Sequence, residues 1–542
     1  MSRLRTSSGL CLLTALSIHA AGPPVVRSPA GIAQGAIESG IRVFRGLPYA
    51  APPVGSMRWK PPVPAPVWNG VRDATKFGAA CFQPKPRAAS IYADPPARMS
   101  EDCLFLNIWT PEGARNTPVM VWIHGGSLTG GASSETMYDG AALAKRGIVV
   151  VSINYRLGAL GYLALPELSA ESADHISGNY GLLDQIEALR WVKRNIAAFG
   201  GDPNRVTAAG ESAGGLSVLY LLASPLARGL FHRAILESSY MISTPELREN
   251  RFGEEPAESS GVQLAAKLKA RDLAGLRAMD PDAITERAPL TGYLPFGTID
   301  GHVLPHQLVE VFDRGEQARV PVLVGFNSGE IRSLRFLAPP APASEAAYTA
   351  AIRERYGPLA GAWLRLYPAS NLAESILAAP RDALYGWTAE RVATKQTAAG
   401  QPAFLYFFDH GFPAADAAGL HAFHASELPY IFGTAGRTPP AWPKMEMTPA
   451  ENRFAEAIRD YWASFVRTGT PRAEGQPHWQ PFGSSKAYMN FGDVPRPDAN
   501  PMPGMYELYE EVLCRRRAEG KTPWNWNIGI VSPPLPDAAG CR

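Results

Sequence analysis

Gly210-Glu211-Ser212-Ala213-Gly214 is the only GxSxG in the chain, and its flanks give it meaning. Residues 206–209 read as a short buried strand, and 216–222 read as an apolar helical run. A sharp strand-to-helix turn strains a serine backbone and lifts its hydroxyl clear, and glycines on both sides leave room for that turn. The helix N-terminus then faces developing negative charge. Ser212 is therefore the candidate nucleophile.

Outward from this turn, short apolar runs alternate with helical segments. Residues 118–123 form a buried-strand run that stops at His124-Gly125-Gly126, and 148–153 form another that stops at Asn154-Tyr155-Arg156. Between 181 and 198, Leu182, Ile186, Leu189, Val192 and Ile196 make one stripe at three-to-four spacing, which predicts a helix. Strand runs return at 320–325 and 403–408, and a helix is expected from about 449 to 468. Continuous apolar strands alternating with helices imply a mostly parallel sheet covered on both faces. Residues 245–290 and 340–400 read as helical insertions over that sheet. The rest is expected to be a Pro/Gly-rich tail, with Arg515-Arg516-Arg517 as solvated surface.

A serine hydroxyl barely ionises near neutral pH, so it needs a base, and the base needs an orienting acid. Seven histidines follow Ser212, at 232, 302, 306, 410, 421, 424 and 478, and periodicity does not choose among them. His424 and Glu330 are the favourites, Glu330 because it follows the 320–325 strand in a short polar loop; Asp300 and Asp313 compete with it. His124-Gly125-Gly126-Ser127 ends an earlier strand, where backbone N–H groups can point into a cavity and hold an oxyanion together with the N–H of Ala213. Leu128, next in sequence, is a candidate substrate contact.

Lysine plus arginine (52) nearly balance aspartate plus glutamate (50), so the chain offers no basic face for nucleic acid. No apolar stretch after the first twenty-five residues is long enough to span a membrane. Glycine (51) and proline (50) are abundant but unrepeated, which suits a loop-rich enzyme and excludes collagen, coiled coil and solenoid. The start resembles a secretory signal over residues 1–22: Arg3 and Arg5, then a mostly apolar stretch, then His19-Ala20-Ala21-Gly22. A periplasmic or secreted protein is expected. Cys11 falls in that segment, leaving Cys81, Cys103, Cys514 and Cys541; an even count after export favours disulfides. Three pairings are open, and the sequence-local one joins Cys81 to Cys103 and Cys514 to Cys541. The loop between the first two carries Pro84, Pro86, Pro95 and Pro96, which excludes a helix or central strand. With no CxxC and no Cys/His cluster, no metal site is expected.

The chain resembles the type-B carboxylesterase and lipase family of α/β-hydrolases, which includes cholinesterases and bacterial para-nitrobenzyl esterases. The carriers span nearly the whole mature chain. They are Phe44-Arg45-Gly46-Leu47-Pro48-Tyr49-Ala50, Glu101-Asp102-Cys103-Leu104-Phe105-Leu106-Asn107-Ile108-Trp109 and Asn154-Tyr155-Arg156-Leu157-Gly158. Further carriers are Gly178-Asn179-Tyr180-Gly181-Leu182-Leu183-Asp184-Gln185, Phe199-Gly200-Gly201-Asp202-Pro203 and the serine turn. The resemblance implies an α/β-hydrolase fold in one domain over 23–542 and a serine carboxylesterase that needs no cofactor. It matches Ser212 to the nucleophile, Glu330 to the acid, His424 to the base, and Gly126, Ser127 and Ala213 to the oxyanion donors. It also implies the Cys81–Cys103 disulfide and a small ester as substrate; oligomeric state and the Cys514–Cys541 pairing are left open.

Two departures from the family and one pair of arginines shape the expectations. Ser127 stands where the family's third glycine is usual. The Cys81–Cys103 loop has no tryptophan, which cholinesterases use to hold a quaternary ammonium, so that activity is not expected. Arg332 and Arg335 follow Glu330 closely and read as surface charge, or as receptors for a substrate carboxylate, since some relatives cleave tricarballylate esters of fumonisin-type toxins. The same fold also serves as a non-catalytic binding module; those proteins usually lose a triad member, and here all three positions are filled.

Overall fold

The computed structural model describes residues 22–86, 90–525 and 527–541. All but Gly22 of the expected signal segment lies outside the described residues. Each apolar run forms its strand, and together they build an eleven-stranded sheet. Its centre is a parallel run: Val149–Ile153, Thr117–Ile123, Gly201–Glu211, Arg233–Glu237, Val322–Asn327, Ala403–Phe408 and Ala487–Phe491. Antiparallel strands finish both sides, Pro495–Ala499 on one and Phe105–Pro111, Ile41–Pro48 and Ala36–Glu38 on the other.

Register brings the functional ends level. Ile123 pairs with Gly210, Gly210 with Leu236, and Leu236 with Val324. The strand ends that follow therefore open on one crevice, where open α/β sheets place their sites. The strand before Ser212 is longer than the four residues its apolar run predicts, because pairing with Thr117–Ile123 and Arg233–Glu237 extends it over less apolar positions.

Both faces are covered. The helix Tyr180–Asn195 and the 3-10 turn Ile196–Phe199 carry the predicted stripe, all five side chains of which are buried. Each such side chain contributes about 1.5–3 kcal/mol of hydrophobic stabilisation. The helix Ala213–Ala223 packs on the same side, and Pro449–Thr468 covers the other with Trp462 in its core. The two predicted insertions are helical, with Ala257–Leu268, Leu273–Ala278 and Pro281–Arg287 in the first. The second holds Glu345–Tyr356, Ala360–Leu366, Leu372–Arg381 and Trp387–Ala398.

The C-terminal region departs from the expectation of a plain tail. It supplies two strands and the helix Met505–Glu519, whose buried stripe Met505, Leu508, Tyr509, Val512 and Leu513 has helical spacing that the expectation of a tail passes over. Arg516 is not solvated surface. It is buried, and its guanidinium donates to the carbonyls of Pro523 (2.6 Å) and Asn527 (2.9 Å) and to Ser532 Oγ (2.8 Å). Both disulfides are present, Cys81–Cys103 and Cys514–Cys541, with Cα separations of 4.9 and 5.9 Å.

Two of the sequence motifs meet in a buried ion pair. Arg156 Nε and Nη2 donate to Asp184 Oδ2 (2.8 Å) and Oδ1 (2.6 Å), and the Arg156 backbone N–H adds a third bond to Oδ2. Removing one partner of such a pair leaves the other charge buried and unmatched. Asp184→Ala should cost roughly 3–5 kcal/mol of stability, read as a lower urea midpoint; a loss below about 1 kcal/mol would show that the pair adds nothing net.

Candidate active site

The serine turn is built by exclusion. Ser212 has φ 57° and ψ −121°, a conformation an L-residue rarely adopts, and the helix Ala213–Ala223 starts at once after it. Its N–H donates to Glu237 O at 2.9 Å, which ties the turn to the next strand. A Cβ on Gly214 would sit 2.0 Å from Ile123 O, and one on Gly210 would sit 2.5 Å from the Gly214 backbone. Only glycine fits at either place. The Ser212 side chain is 9% exposed and faces a cavity of about 1060 Å³.

His424 and Glu330 come to the same place from two loops. The Glu330 carboxylate is fully buried, and Oε1 accepts from Ser238 Oγ (2.7 Å) and from the Asn327 N–H (2.8 Å). That leaves Oε2 for His424 Nδ1, which it meets in a short hydrogen bond. The rival acids are occupied elsewhere: Asp300 caps the N–H groups of His302, Val303 and Leu304, and Asp313 pairs with Arg391, Lys395 and Arg517. His424 lines the cavity beside Ser212. Its Nε2 is not hydrogen-bonded to Ser212 Oγ in this arrangement; it lies 3.1 Å from Oε1 of Glu211, an ion-pair contact to the residue just before the nucleophile. Resting enzymes often hold such catalytic bonds long, to be tightened by substrate.

Glu211 was not singled out from the sequence. An acid inside a motif whose other positions must be small and buried is the signal that could have found it. Burial raises Glu211 to about 8 and Glu427 to about 7, and it pushes Glu237 well above the usual carboxylate range. Burial works against a charged imidazole, but Glu211 and Glu330 outweigh it and raise His424 to about 9.

The oxyanion segment abuts the nucleophile, since a Cβ on Gly125 would lie 3.2 Å from Ser212 Cβ. Gly126, Ser127 and Leu128 all have positive φ, at 98°, 56° and 56°. Ser127 thus keeps the glycine-like backbone of the position it fills, with its side chain exposed. Among the described residues the N–H groups of Gly126, Ser127 and Ala213 have no hydrogen-bond partner. His124 is held by burial down to about 4, stacked on Tyr155 with ring centroids 4.6 Å apart.

Leu128 lines the cavity, as expected of a substrate contact. Arg332 and Arg335 do not. Arg332 pairs with Glu374 at 2.6 Å, and Arg335 is exposed, while its neighbours Leu334, Phe336 and Leu337 line the cavity. Sequence proximity to Glu330 placed them near the site without aiming them into it.

A strained serine after a strand, a buried acid–imidazole pair and an unpartnered loop of N–H groups define a serine hydrolase of the α/β-hydrolase fold. Residues 22–504 match the sequence model of the carboxylesterase family. The chain is 37% identical over 487 residues to the fumonisin B1 esterase of Sphingopyxis macrogoltabida, covering 87% of each chain. It is 36% identical to the para-nitrobenzyl esterase of Bacillus subtilis, covering 83% of this chain and 91% of that one. A solved PNB esterase structure superposes with a TM-score of 0.77 at 33% identity, covering 89% of this chain and 99% of the other. The chain belongs to the carboxylesterase family, and it is a carboxylic ester hydrolase.

A base must be neutral to accept a proton, so with His424 as the candidate base activity should rise with pH through its transition. The raised imidazole moves that rise upward, and the midpoint of the acid limb of kcat/KM should lie above 6.5. Glu211→Gln removes a carboxylate 3.1 Å from Nε2 and should move the midpoint down. An unmoved midpoint would mean that Glu211 does not charge the imidazole.

Proposed function

We propose that Ser212, His424 and Glu330 carry out a two-step acyl transfer. Ser212 Oγ attacks the ester carbonyl carbon while His424 Nε2 takes its proton; Glu330, on Nδ1, fixes the tautomer and stabilises the imidazolium. The N–H groups of Gly126, Ser127 and Ala213 hold the tetrahedral oxyanion, each worth about 10²–10³ in rate. Collapse expels the alcohol with the proton from His424, and water then repeats the sequence on the acyl-enzyme. The observation that carries this reading is the Glu330–His424 hydrogen bond, buried beside the strained serine on one cavity.

For the substrate, we propose an uncharged ester with a bulky apolar group. The cavity wall is rich in tyrosine, proline and aliphatic side chains, and Leu294 and Phe336 stand exposed at its rim. Among the described residues its acids are Asp94, Glu135, Glu211 and Glu254, and its lysine, Lys85, pairs with Asp282 at 3.2 Å. Among the described residues no arginine lines the cavity to meet a polycarboxylate. The two disulfides and the signal-like first 22 residues support export to the periplasm or medium, with 23–542 as one catalytic domain bearing helical insertions. Among the described residues no helix is long and apolar enough to cross a membrane.

Ser212→Ala should abolish turnover of para-nitrophenyl esters and labelling by a fluorophosphonate; labelling that persists at another residue would refute the assignment. A neutral aryl ester should exceed a tricarballylate ester in kcat/KM by about 100-fold or more, the cost of unmatched charge in a partly buried site. Equal or reversed preference would refute the substrate reading while leaving the triad standing.

A further inference from the structure

Three successive carbonyls on the loop that carries the imidazole are each held by a donor. Ala422 O accepts from the Gly329 N–H (2.8 Å), and Phe423 O accepts from Asn327 Nδ2 (2.9 Å). Both donors belong to the strand end and loop that carry Glu330, so acid and base are tied together. The third carbonyl, of His424 itself, accepts from the hydroxyl of Tyr92 at 2.9 Å. Tyr92 comes from a different part of the chain, the loop closed by Cys81–Cys103.

The Tyr92 hydroxyl also lies 2.7 Å from Ser333 Oγ, on the one-turn helix that Glu330 begins. Its ring is wedged edge-on between the imidazole (centroids 6.3 Å apart) and Trp442 (5.8 Å). The same disulfide-closed loop reaches the oxyanion segment: Gln83 Oε1 accepts from the Gly131 N–H (2.8 Å), and Gln83 Nε2 donates to Gly131 O (3.0 Å). One loop therefore grips the base on one side of the cavity and the anion-binding turn on the other.

We infer that Tyr92 is a positioning residue for His424, and that the Cys81–Cys103 loop is the element through which base and oxyanion segment are held in register. This rests on the triad reading given above. Tyr92 acts on the backbone that carries the base and donates to no reacting atom. Its loss therefore loosens the imidazole without changing the nucleophile or the anion donors.

The test uses the full mature chain with para-nitrophenyl acetate, an ester too small to fill the cavity. Tyr92→Phe keeps the ring and removes the hydroxyl. It should lower kcat on the order of tenfold, the sensitivity expected of a misaimed catalytic group, with KM within about twofold and the thermal midpoint within a few degrees. In a His424→Ala background the same change should lose its effect on the slow residual rate, because the group it positions is gone. Cys81→Ala/Cys103→Ala should lower kcat as well, and Tyr92→Phe should add little to it. An unchanged kcat in Tyr92→Phe would overturn the inference. So would a rise in KM at constant kcat, which would make Tyr92 a substrate contact, or an equal loss in the His424→Ala background, which would make its role merely structural. A failure of the triad reading would show separately, as Ser212→Ala that still turns over.

Discussion

The backbone at Ser212 is held where an L-residue rests at a cost on the order of 1–3 kcal/mol, and everything around it is arranged so that it has nowhere else to go. Beneath it, Gly210 and Gly214 let the incoming strand and outgoing helix close to van der Waals contact with Ile123 O. Beside it, Glu237 O accepts its N–H. Above it, a Cβ on Gly125 would lie 2.9 Å from Glu211 O and 3.2 Å from Ser212 Cβ, so the turn has no room for a side chain there. The strain is stable because three separate strands, Gly201–Glu211, Thr117–Ile123 and Arg233–Glu237, would have to shift to relieve it, and each is locked by ladder hydrogen bonds. The reactive hydroxyl is thus a property of the sheet as much as of the motif.

The second feature that organises the site is the concentration of acid around one imidazole. Glu211, Glu237, Glu330 and Glu427 are all buried, the first two at strand ends and the others at helix starts, and they are not equivalent. Glu330 has its outer oxygen saturated by Ser238 and Asn327, so it stays fixed and presents one oxygen to the ring. Glu237 is spent on the indole of Trp462 at 2.6 Å, and Glu427 on the side chain of Asn327. Glu211 alone of the four faces His424 Nε2, the nitrogen proposed to exchange a proton with Ser212. Hydrogen bonding divides four identical functional groups into an orienter, two structural anchors and one that sets the charge of the base.

What could be read from the sequence follows from which interactions are local. The turn at Ser212, the helix stripe from Leu182 to Ile196 and the apolar central strands all announce themselves through neighbours a few residues away. Glu330 and His424 could only be favoured, because the bond between them joins residues 94 apart and no spacing rule reaches that far. Arg332, paired with Glu374, and Arg335, exposed, agree with the surface-charge reading rather than the carboxylate-receptor one, since nearness in sequence to an acid says nothing about which wall a side chain faces. Arg516 was misjudged because its partners are carbonyls, which carry no sequence signature. The two strands and the helix after residue 480 owe their form to a sheet edge and a core that were already built by the rest of the chain. Tyr92 was hidden in a proline-rich loop whose conformation depends on a cross-link and on the site it covers.

The outermost strand, Pro495–Ala499, ends the sheet on one side with two prolines, Pro495 and Pro497, and with Arg496 and Asp498. A proline has no N–H to give, and a charged pair resists being dried. An approaching foreign strand would find two of its acceptors unmet and would have to strip water from ions to lie flat. The rim is therefore chemically blunt, and a protein built on an eleven-stranded sheet does not offer that side as a seed for fibrous growth.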